Sequence, residues 1–289
     1  MKTKEELVKV FEKTVEDLKR GFYTVPDGKS TVKFNDSKLR RDSWMYTDNE
    51  LKGSIIREDR CEFETKVYVE NKDTFLKAIE MGPKAAILNM ASSRNPGGGV
   101  AKGSRAQEED LCRRSNLLVS LYSFTDKGKS WFGCGNRDFN YPIPTFGGIY
   151  SPKVTIYKDT DYNTYTTPYY TNVISVAAMI KPDFDPLTLM IPKKQAYIMK
   201  RKIRSIFRIA LLHGHTKLVL GAFGCGAFAN PPKHVALMFK EVLEETEFNN
   251  VFEEICFAIL DDKNTGKAHN PEGNYKPFVD IFGLNETVQ

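Results

Sequence analysis

Apolar residues recur every three or four positions over residues 3–22, which predicts an amphipathic helix at the start of the chain. Thr3 and Glu6 have the spacing of a capping box, so the helix should begin beside Thr3. Leu7, Phe11 and Leu18 fall on its apolar stripe. We therefore expect a surface helix with one buried face.

Short apolar runs alternate with helical patterns along the rest of the chain. The predicted strands cover residues 31–34, 66–69, 84–89, 147–150, 154–157, 172–178, 217–220 and 255–260, and the predicted helices cover 73–79, 193–213 and 233–246. Strands that alternate with helices indicate crossover units around a sheet. The pattern therefore predicts an α/β protein with a three-layer α/β/α arrangement.

Three consecutive glycines follow the strand predicted at 84–89. The segment Asn95-Pro-Gly-Gly-Gly99 breaks regular structure, and it suits a backbone that approaches a ligand closely or adopts positive φ. Ser104 and Gln107 have the spacing of a second capping box, and Leu111, Ser115 and Leu118 continue at helical spacing. The glycine run should thus lead into a helix that places Gln107, Glu108 and Glu109 in its first turn.

Glu108 and Glu109 admit two interpretations. Acidic residues in a first turn often only compensate the helix dipole, which lowers a carboxyl pKa by less than about one unit. Burial beside a ligand acts in the opposite direction and can raise the pKa by about 3–5 units. If the pocket closes on a substrate, we expect burial to dominate. Adjacent helical residues point about 100° apart, so one glutamate can address a reacting bond while the other holds a neighbouring hydroxyl.

A second glycine loop follows the strand predicted at 217–220. Gly221, Gly224 and Gly226 precede Pro231 and Pro232, which open the next helix. Such a loop can direct backbone N–H groups and a helix N-terminus at a diphosphate, although a tight structural turn explains the same residues. The spacing matches neither a Walker loop nor the G-x-G-x-x-G fingerprint.

Composition narrows the class of protein only slightly. The 289 residues are 41% hydrophobic and 27% charged, with a net charge of +5 and a pI near 8.7. No apolar run is long enough to span a membrane, and the chain opens with charged residues, so we expect a cytoplasmic, intracellular protein, or a nuclear one if the source is eukaryotic. The five scattered cysteines indicate neither disulfides nor a zinc site, and no histidine has metal-ligand spacing, so no metal is expected.

Two further features have ordinary explanations. A basic cluster over residues 193–204 lies on a predicted helix, where it is usually a solvated face. Residues 127–144 are rich in loop-forming types but contain the apolar stretch Ser130-Trp-Phe-Gly-Cys134. This segment is either a lid near the pocket or a loop packed on the core, and aromatic residues in loops favour packing.

The glycine run and the residues after it resemble a known family. Gly97-Gly-Gly99, seven residues and then Gln107-Glu-Glu109 is similar to the GGG-x(6–8)-QEE signature of poly(ADP-ribose) glycohydrolases, and the neighbouring segments resemble the microbial-type branch. Residues 220–232, 150–154 and 257–260 resemble the second ligand loop, central strand region and last core strand of that family. Met90 departs from the pattern, because an aromatic residue is expected there.

The resemblance implies a macrodomain-like catalytic domain with a mixed central sheet at residues 65–289, and a mainly helical N-terminal extension at 1–64 packed on it. It implies hydrolysis of ribose–ribose O-glycosidic bonds, from the polymer end, by a single general acid/base, Glu109, with Glu108 holding ribose hydroxyls. It requires no cofactor. The other implied substrate-binding residues are Asn89, Asn95, Gly97, Gly98, Gly99, Gln107, Gly224, Cys225, Gly226, Ala227 and Phe228.

Expected partners follow from the same resemblance. They are poly(ADP-ribose), ADP-ribose and ADP-ribosylated proteins; neither a membrane nor sequence-specific nucleic-acid binding is expected, and the protein should be a monomer. Two other functions stay open, because macrodomains serve many substrates. One is a non-catalytic ADP-ribose-binding macrodomain, against which the Glu108 and Glu109 pair argues. The other is a mono-ADP-ribosyl hydrolase.

Overall fold

A seven-stranded sheet lies between two helical layers in the computed structural model, which describes residues 2–53, 63–133, 140–262 and 264–284. The strands are β1 (Phe22–Thr24), β2 (Thr31–Lys33), β3 (Trp44–Tyr46), β4 (Lys66–Glu70), β5 (Ala86–Met90), β6 (Gly148–Lys158), β7 (Thr164–Val176), β8 (Lys217–Leu220) and β9 (Glu254–Ala258). The α-helices are α1 (Lys4–Arg20), α2 (Asp36–Asp42), α3 (Asp48–Gly53), α4 (Thr74–Met81), α5 (Gln107–Arg114), α6 (Leu117–Tyr122), α7 (Lys127–Phe132), α8 (Lys193–Leu212), α9 (Pro232–Leu243) and α10 (Lys276–Phe282).

The large sheet is mixed, with strand order β3-β6-β7-β5-β8-β9-β4. The five strands from β7 to β4 are parallel, β6 runs antiparallel to β7, and the edge strand β3 runs antiparallel to β6. β1 and β2 form a separate antiparallel pair. The parallel strands direct their carboxyl ends to one edge of the sheet, where ligands of α/β proteins usually bind.

Side chains alternate between the two faces of the sheet and so build two cores. On β8, Leu218 and Leu220 pack with α8, α9 and α10, whereas Val219 packs on the opposite face with α1, α4, α5 and α6. Phe207 and Phe239 are large buried members of the first core, and Phe75 of the second. Apolar residues on both faces explain why the central strands appear in the sequence as continuous apolar runs.

The first helix agrees closely with the sequence prediction. α1 begins after Thr3, whose side chain and that of Glu6 form the predicted capping box, and it ends at Gly21 with φ of 76°. β3 follows in the same N-terminal segment and pairs with β6 at the edge of the large sheet. The division into an extension at 1–64 and a domain from 65 stays a prediction.

The helix after the glycine run differs from the prediction. Ala106 is its N-cap and no side chain caps it, so the capping box expected from Ser104 and Gln107 is wrong. The helix also ends before Ser115, which is extended, forms a bridge with Ile156 and accepts a hydrogen bond from the Leu117 N–H. Local hydrogen bonds and sheet pairing therefore end the helix, although the spacing of Leu111, Ser115 and Leu118 predicted that it continues.

Two other segments were read incorrectly from the sequence. The strands expected on either side of Pro152 are one strand, β6, with a register shift between Ser151 and Val154. Within the expected loop at 127–144, residues 127–132 form α7, whose Trp131 stacks on Tyr122 with ring centroids 5.1 Å apart. Cys134, which closes the apolar stretch in that loop, lies outside the described residues.

The basic face of α8 is largely ion-paired. Arg204 and Arg208 bind Glu245 and Glu247 at 2.7 Å, and Arg201 binds Asp48 at 2.6 Å. These side chains fix α8 against its neighbours instead of forming a simple solvated face.

The structure also bears on disulfides, metal sites and membrane-spanning helices. Cys112, Cys225 and Cys256 are free thiols, whereas Cys61 and Cys134 lie outside the described residues. Among described residues, no group of three histidine, cysteine or acidic side chains could hold a metal ion. No helix in the described part of the chain has the length and hydropathy needed to cross a bilayer.

Candidate active site

A cleft opens at the carboxyl ends of β5 and β8, where the two strands separate. Their pairing ends at Ile87 and Val219, whereas β5 continues beside β7 as far as Met90 and Val176. The resulting cavity has a volume of about 850 Å³ and is lined by Met90, Gln107, Gly224, Gly226 and Phe228, among others. This volume lies within the range of small-molecule sites. The second glycine loop and Gln107 are among the described residues that line the cavity, whereas Gly97–Gly99, Glu108 and Glu109 are not.

The first glycine loop is shaped by positive φ angles and by the glutamates beneath it. Gly97 and Gly98 have φ of 76° and 57°, which few L-residues adopt. A Cβ added to Gly98 would lie 2.5 Å from Oε1 of Glu109 and 3.0 Å from Oε2 of Glu108. The glycine run therefore lets the backbone rest directly on the two carboxylates.

The N–H groups of the three glycines are all engaged within the loop. Gly97 N–H donates to Oε1 of Glu108 at 3.2 Å, Gly98 N–H to the Asn95 carbonyl at 2.8 Å, and Gly99 N–H to Oε1 of Glu109 at 2.7 Å. The resemblance placed these glycines in the substrate-binding set, and that role stays a prediction. In this structure their donors bind the catalytic candidates and their own loop.

Glu108 is buried and bonded through both oxygens. Oε2 accepts the Ser92 N–H at 2.7 Å, and Oε1 accepts the Gly97 N–H. Burial raises the pKa of Glu108 to about 8 and the charge of Glu109 adds to the rise, while the backbone donors and a side-chain hydrogen bond with Asn89 oppose it. Burial thus outweighs the opposing hydrogen bonds at Glu108, while the expectation for a pocket closed on a substrate stays a prediction.

Glu109 differs from Glu108 in one respect that matters for chemistry. It is 7% exposed, and Oε1 accepts the Gly99 N–H. Its Oε2 is buried and has no hydrogen-bond partner among the described residues. One oxygen of Glu109 is therefore fixed by the loop, while the hydrogen-bonding capacity of the other is unused among the described residues.

Gln107 faces the cavity, but its amide is bonded to the protein. Oε1 accepts the Met90 N–H at 2.9 Å, and Nε2 donates to the Leu88 carbonyl at 2.7 Å and to Oγ1 of Thr74 at 3.3 Å. The resemblance placed Gln107 in the substrate-binding set, as a residue that orients the loop. The structure engages its polar atoms with β5 and the start of α4.

Asn89 and Asn95, the two asparagines expected to bind substrate, have different environments. Asn89 is fully buried on β5, and its Nδ2 donates to Oγ of Ser175 at 3.0 Å. Its Oδ1 has no partner within the described chain. Asn95 is exposed, and its backbone carbonyl closes the turn that contains Gly98. The structure thus brings Asn89 close to Glu108 and places Asn95 on the outer side of the loop.

The second glycine loop contributes backbone and one aromatic ring to the cavity. Gly224, Gly226, Ala227 and Phe228 line it, whereas the Cys225 side chain is buried away from it and burial raises the pKa of that thiol. In the described part of the chain the N–H groups of Gly226 and Ala227 make no hydrogen bond. These two donors suit a diphosphate better than those of Gly97–Gly99.

Two residues that support the site were not found from the sequence. Asn230 donates through Nδ2 to the carbonyls of Met179 and Gly224, at 2.7 and 2.9 Å, and so fixes the second loop. Arg113 is fully buried and donates to the Ser104 carbonyl at 2.5 Å and to the Leu7 carbonyl of α1 at 3.3 Å. The spacing of four residues from Glu109 to Arg113 was a usable signal, because such residues share a helix face.

Three ion-paired residues, Arg114, Asp73 and Asp110, form one side of the cavity. Arg114 is 1% exposed at its side chain and binds Asp73 at 2.9 Å and Asp110 at 2.8 Å. All three line the cavity, together with Lys72 and Arg105. Asp73 caps the start of α4, whereas Asp110 and Arg114 lie on α5. The ion pairs therefore fix the start of α4 against the helix that carries Glu108 and Glu109.

Together, the mixed sheet, the two helical layers and the paired loops at the strand ends define a macrodomain-like α/β/α protein. Residues 12–159, just over half of the chain, match the family described as "Microbial-type PARG, catalytic domain", in which PARG denotes poly(ADP-ribose) glycohydrolase. The chain belongs to this family. The resemblance drawn from Gly97–Gly99 and Gln107–Glu109 is therefore confirmed, and so is the fold class.

Solved structures of bacterial PARG proteins are similar over most of the chain. The PARG of Thermomonospora curvata has a TM-score of 0.77 and 26% identity, covering 96% of this chain and 100% of that one. Its complex with the inhibitor ADP-HPD has a TM-score of 0.75, 26% identity, and coverage of 96% and 99%. The PARG of Deinococcus radiodurans with ADP-ribose has a TM-score of 0.65, 29% identity, and coverage of 86% and 96%. A comparison with curated proteins gave no match.

Proposed function

We propose that the protein is a poly(ADP-ribose) glycohydrolase that hydrolyses the ribose–ribose O-glycosidic bond and releases ADP-ribose. Family membership and the bacterial PARG structures support this function, since one of those structures holds ADP-ribose and another the inhibitor ADP-HPD. The single observation that carries the proposal in this chain is the buried Oε2 of Glu109, which has no hydrogen-bond partner among the described residues and lies on α5 between the cavity-lining Gln107 and Asp110.

In this proposal Glu109 is the general acid and base. Its Oε1 is held by the Gly99 N–H, which leaves Oε2 to protonate the departing ribose oxygen as an oxocarbenium-like centre develops. The same oxygen then removes a proton from the attacking water. Neighbouring glutamates on one helix cannot stand across a glycosidic bond at the separation that two-carboxylate glycosidases use, so a single acid/base is the simpler mechanism.

The other residues of the site orient the substrate. Glu108, with both oxygens on backbone N–H groups, keeps lone pairs for ribose hydroxyls on the leaving side, and Asn89 and Asn95 are polar candidates for the terminal ribose. The free N–H groups of Gly226 and Ala227 would hold the diphosphate, and Phe228 lies beside it in the cavity. Fixing the sugar in this way removes orientational freedom before the chemical step.

The proposal extends to how the enzyme meets its substrate. We place the protein in the cytoplasm as a monomer that trims polymer from the end, with ADP-ribosylated proteins as the carriers of that polymer. A cavity of about 850 Å³ has room for one ADP-ribose unit, in agreement with release of single units. Products that contain oligomers would contradict end-directed action without affecting the assignment of the bond.

The test is hydrolysis of labelled poly(ADP-ribose) by the wild type and by Glu109→Gln, with ADP-ribose affinity measured for both. We expect free ADP-ribose from the wild type and a rate lower by about 10²–10⁴ in Glu109→Gln, with affinity retained. Glu12→Gln, on the exposed face of α1, is the matched control and should equal the wild type. A wild type that binds ADP-ribose but leaves polymer intact would refute the proposal; a singly modified acceptor then tests the mono-ADP-ribosyl activity.

A further inference from the structure

β5 reaches the cleft with backbone groups that its neighbouring strand no longer pairs. Odd-numbered residues at its ends face β7, because Ala91 N–H donates to the Val176 carbonyl and Asn172 N–H donates to the Ala85 carbonyl. Peptide groups of a strand point alternately to its two sides, so Leu88 and Met90 face β8. β8 pairs with β5 only through Leu218 and Val219.

If the β5–β8 register continued, Gly221 would stand opposite Asn89. In a parallel ladder that residue would donate its N–H to the Leu88 carbonyl and accept the Met90 N–H at its own carbonyl. β8 instead ends at Leu220, and the chain turns into the second glycine loop. The separation creates the cleft and would leave two polar backbone groups without partners at its floor.

The side-chain amide of Gln107 makes both of these hydrogen bonds. Its Nε2 donates to the Leu88 carbonyl at 2.7 Å and its Oε1 accepts the Met90 N–H at 2.9 Å. A primary carboxamide offers one donor and one acceptor in the same plane, as a peptide group does. Gln107 therefore occupies the place of a missing strand residue.

We infer that Gln107 is a positioning residue, whose side chain substitutes for the absent β8 peptide and so fixes the glutamates of α5 at the end of β5. Glu108 and Glu109 follow Gln107 directly and bind the backbone further along the same segment, at Ser92, Gly97 and Gly99. The three side chains together hold residues 88–99 against the first turn of α5. Gln107 fixes the position of α5 along β5, because its two partners, Leu88 and Met90, belong to the sheet.

The substitution Gln107→Glu tests this role directly. An ionised carboxylate accepts the Met90 N–H but repels the Leu88 carbonyl, whereas a protonated carboxyl group has the donor and acceptor of the native amide. Burial and the facing carbonyl raise the pKa of the introduced carboxyl group, and we expect it to be protonated at pH 5 and ionised at pH 8. The charged groups around this position are Glu108 and Glu109 on the same helix and the cavity-lining Lys72, Asp73, Arg105, Asp110 and Arg114.

The kinetic arm of the experiment rests on the proposed hydrolase activity. At pH 8 we expect kcat of Gln107→Glu and of Gln107→Met to fall by about 10–10²-fold relative to the wild type, since small displacements of a catalytic group have effects of this size. At pH 5 the deficit of Gln107→Glu should shrink at least about tenfold relative to that of Gln107→Met, because the donor is restored. ADP-ribose affinity should stay near the wild-type value in both variants.

Hydrogen exchange at Met90 gives a reading that does not depend on activity. The Met90 amide should exchange at least about tenfold faster in Gln107→Met than in the wild type, and in Gln107→Glu it should remain protected. Gln195→Glu is the control, because Gln195 lies on α8 and its side chain bonds the exposed Asp183 and no other described residue. It should match the wild type in every measurement.

Three results would overturn the inference. The first is a Met90 amide that exchanges at the same rate in the wild type and in Gln107→Met. The second is a ratio of the kcat values of Gln107→Glu and Gln107→Met that does not change with pH. The third is a loss of ADP-ribose affinity in these variants while kcat stays at the wild-type value. The last would make Gln107 a ligand of the substrate. If the wild type cleaves no polymer, the proposed function fails, yet the exchange measurement still decides the role of Gln107. If Gln107→Met does not fold, Gln107→Glu at the two pH values provides the comparison.

Discussion

Oε1 of Glu109 accepts a hydrogen bond from the Gly99 N–H at 2.7 Å, and its other oxygen is buried without a partner among the described residues. This pairing explains why a glycine run and an acidic pair occur together in the sequence. The loop cannot lie on the carboxylates if it carries side chains, and the carboxylates cannot be oriented without the loop. The catalytic candidate is thus positioned by backbone, which is more rigid than another side chain.

Gly98→Ala should abolish most activity through a steric clash with the glutamates. Its added Cβ would lie 2.5 Å from Oε1 of Glu109, and φ of 57° adds backbone strain. We expect kcat to fall at least about 10²-fold, since the carboxylate must move. Gly28→Ala is the matched control, with φ of 70° but no atom within 4 Å of the new Cβ. It should lose about 1 kcal/mol of stability and no activity. Equal kcat values in the two variants would contradict the clash.

Glu108 should make the protein less stable as the pH rises. Its pKa is about 8 in the folded state against 4.5 when free, so the stability it adds is complete below pH 4.5 and is lost as the pH rises through about 8. The free energy of unfolding should fall by up to about 1.4 kcal/mol per pH unit in this window. Urea titrations from pH 5 to 8.5 should show this slope in the wild type and a shallower one in Glu108→Gln. Parallel curves would contradict the raised pKa.

Arg114→Met should destabilise the fold more than the loss of an exposed arginine. The Arg114 side chain is 1% exposed and is shared by Asp73 and Asp110, which the variant leaves without their cation. We expect a loss of about 3 kcal/mol in the free energy of unfolding, since both carboxylates keep some contact with solvent. Arg41→Met removes a pair with Asp42 in which the arginine side chain is 71% exposed, and it should cost less than about 1 kcal/mol. Chemical denaturation measures both; similar losses would refute the role of burial.

His213 should contribute to unfolding in acid. It is hydrogen-bonded to the hydroxyl of Tyr46 and stacked on Tyr150 at 3.5 Å, and burial lowers its pKa to about 4, with His215 adding to the effect. The neutral ring therefore stabilises the fold above pH 6.5, and this contribution is lost as the pH falls through 4. His213→Phe keeps the stacking and removes the titration. Between pH 6.5 and 4, the free energy of unfolding should change less in His213→Phe than in the wild type. Chemical denaturation at several pH values measures this, and the same pH dependence in both proteins would exclude His213 as the cause.

Much of the fold could be read from local pattern. The start of α1, the strands β4, β5, β8 and β9, and the long helix α8 agree with the expected ranges, because apolar spacing and capping residues act over a few positions. The errors lie where distant segments decide the outcome. Ser115 leaves the helical path to bridge β6, and the basic residues of α8 are ion-paired with acidic residues up to 153 positions away.

The sequence by itself determined the class of the protein, the two glycine loops and the acidic pair, since these depend on residue types at fixed short spacings. Only the tertiary structure decided what each group does. It engages the N–H groups of Gly97 and Gly99 with the carboxylates and that of Gly98 with the Asn95 carbonyl. It leaves the N–H groups of Gly226 and Ala227 without a partner among the described residues, and it bonds the Gln107 amide to β5. Hydrogen-bond partners are set by where strands separate and loops meet, and that distance information is absent from local spacing.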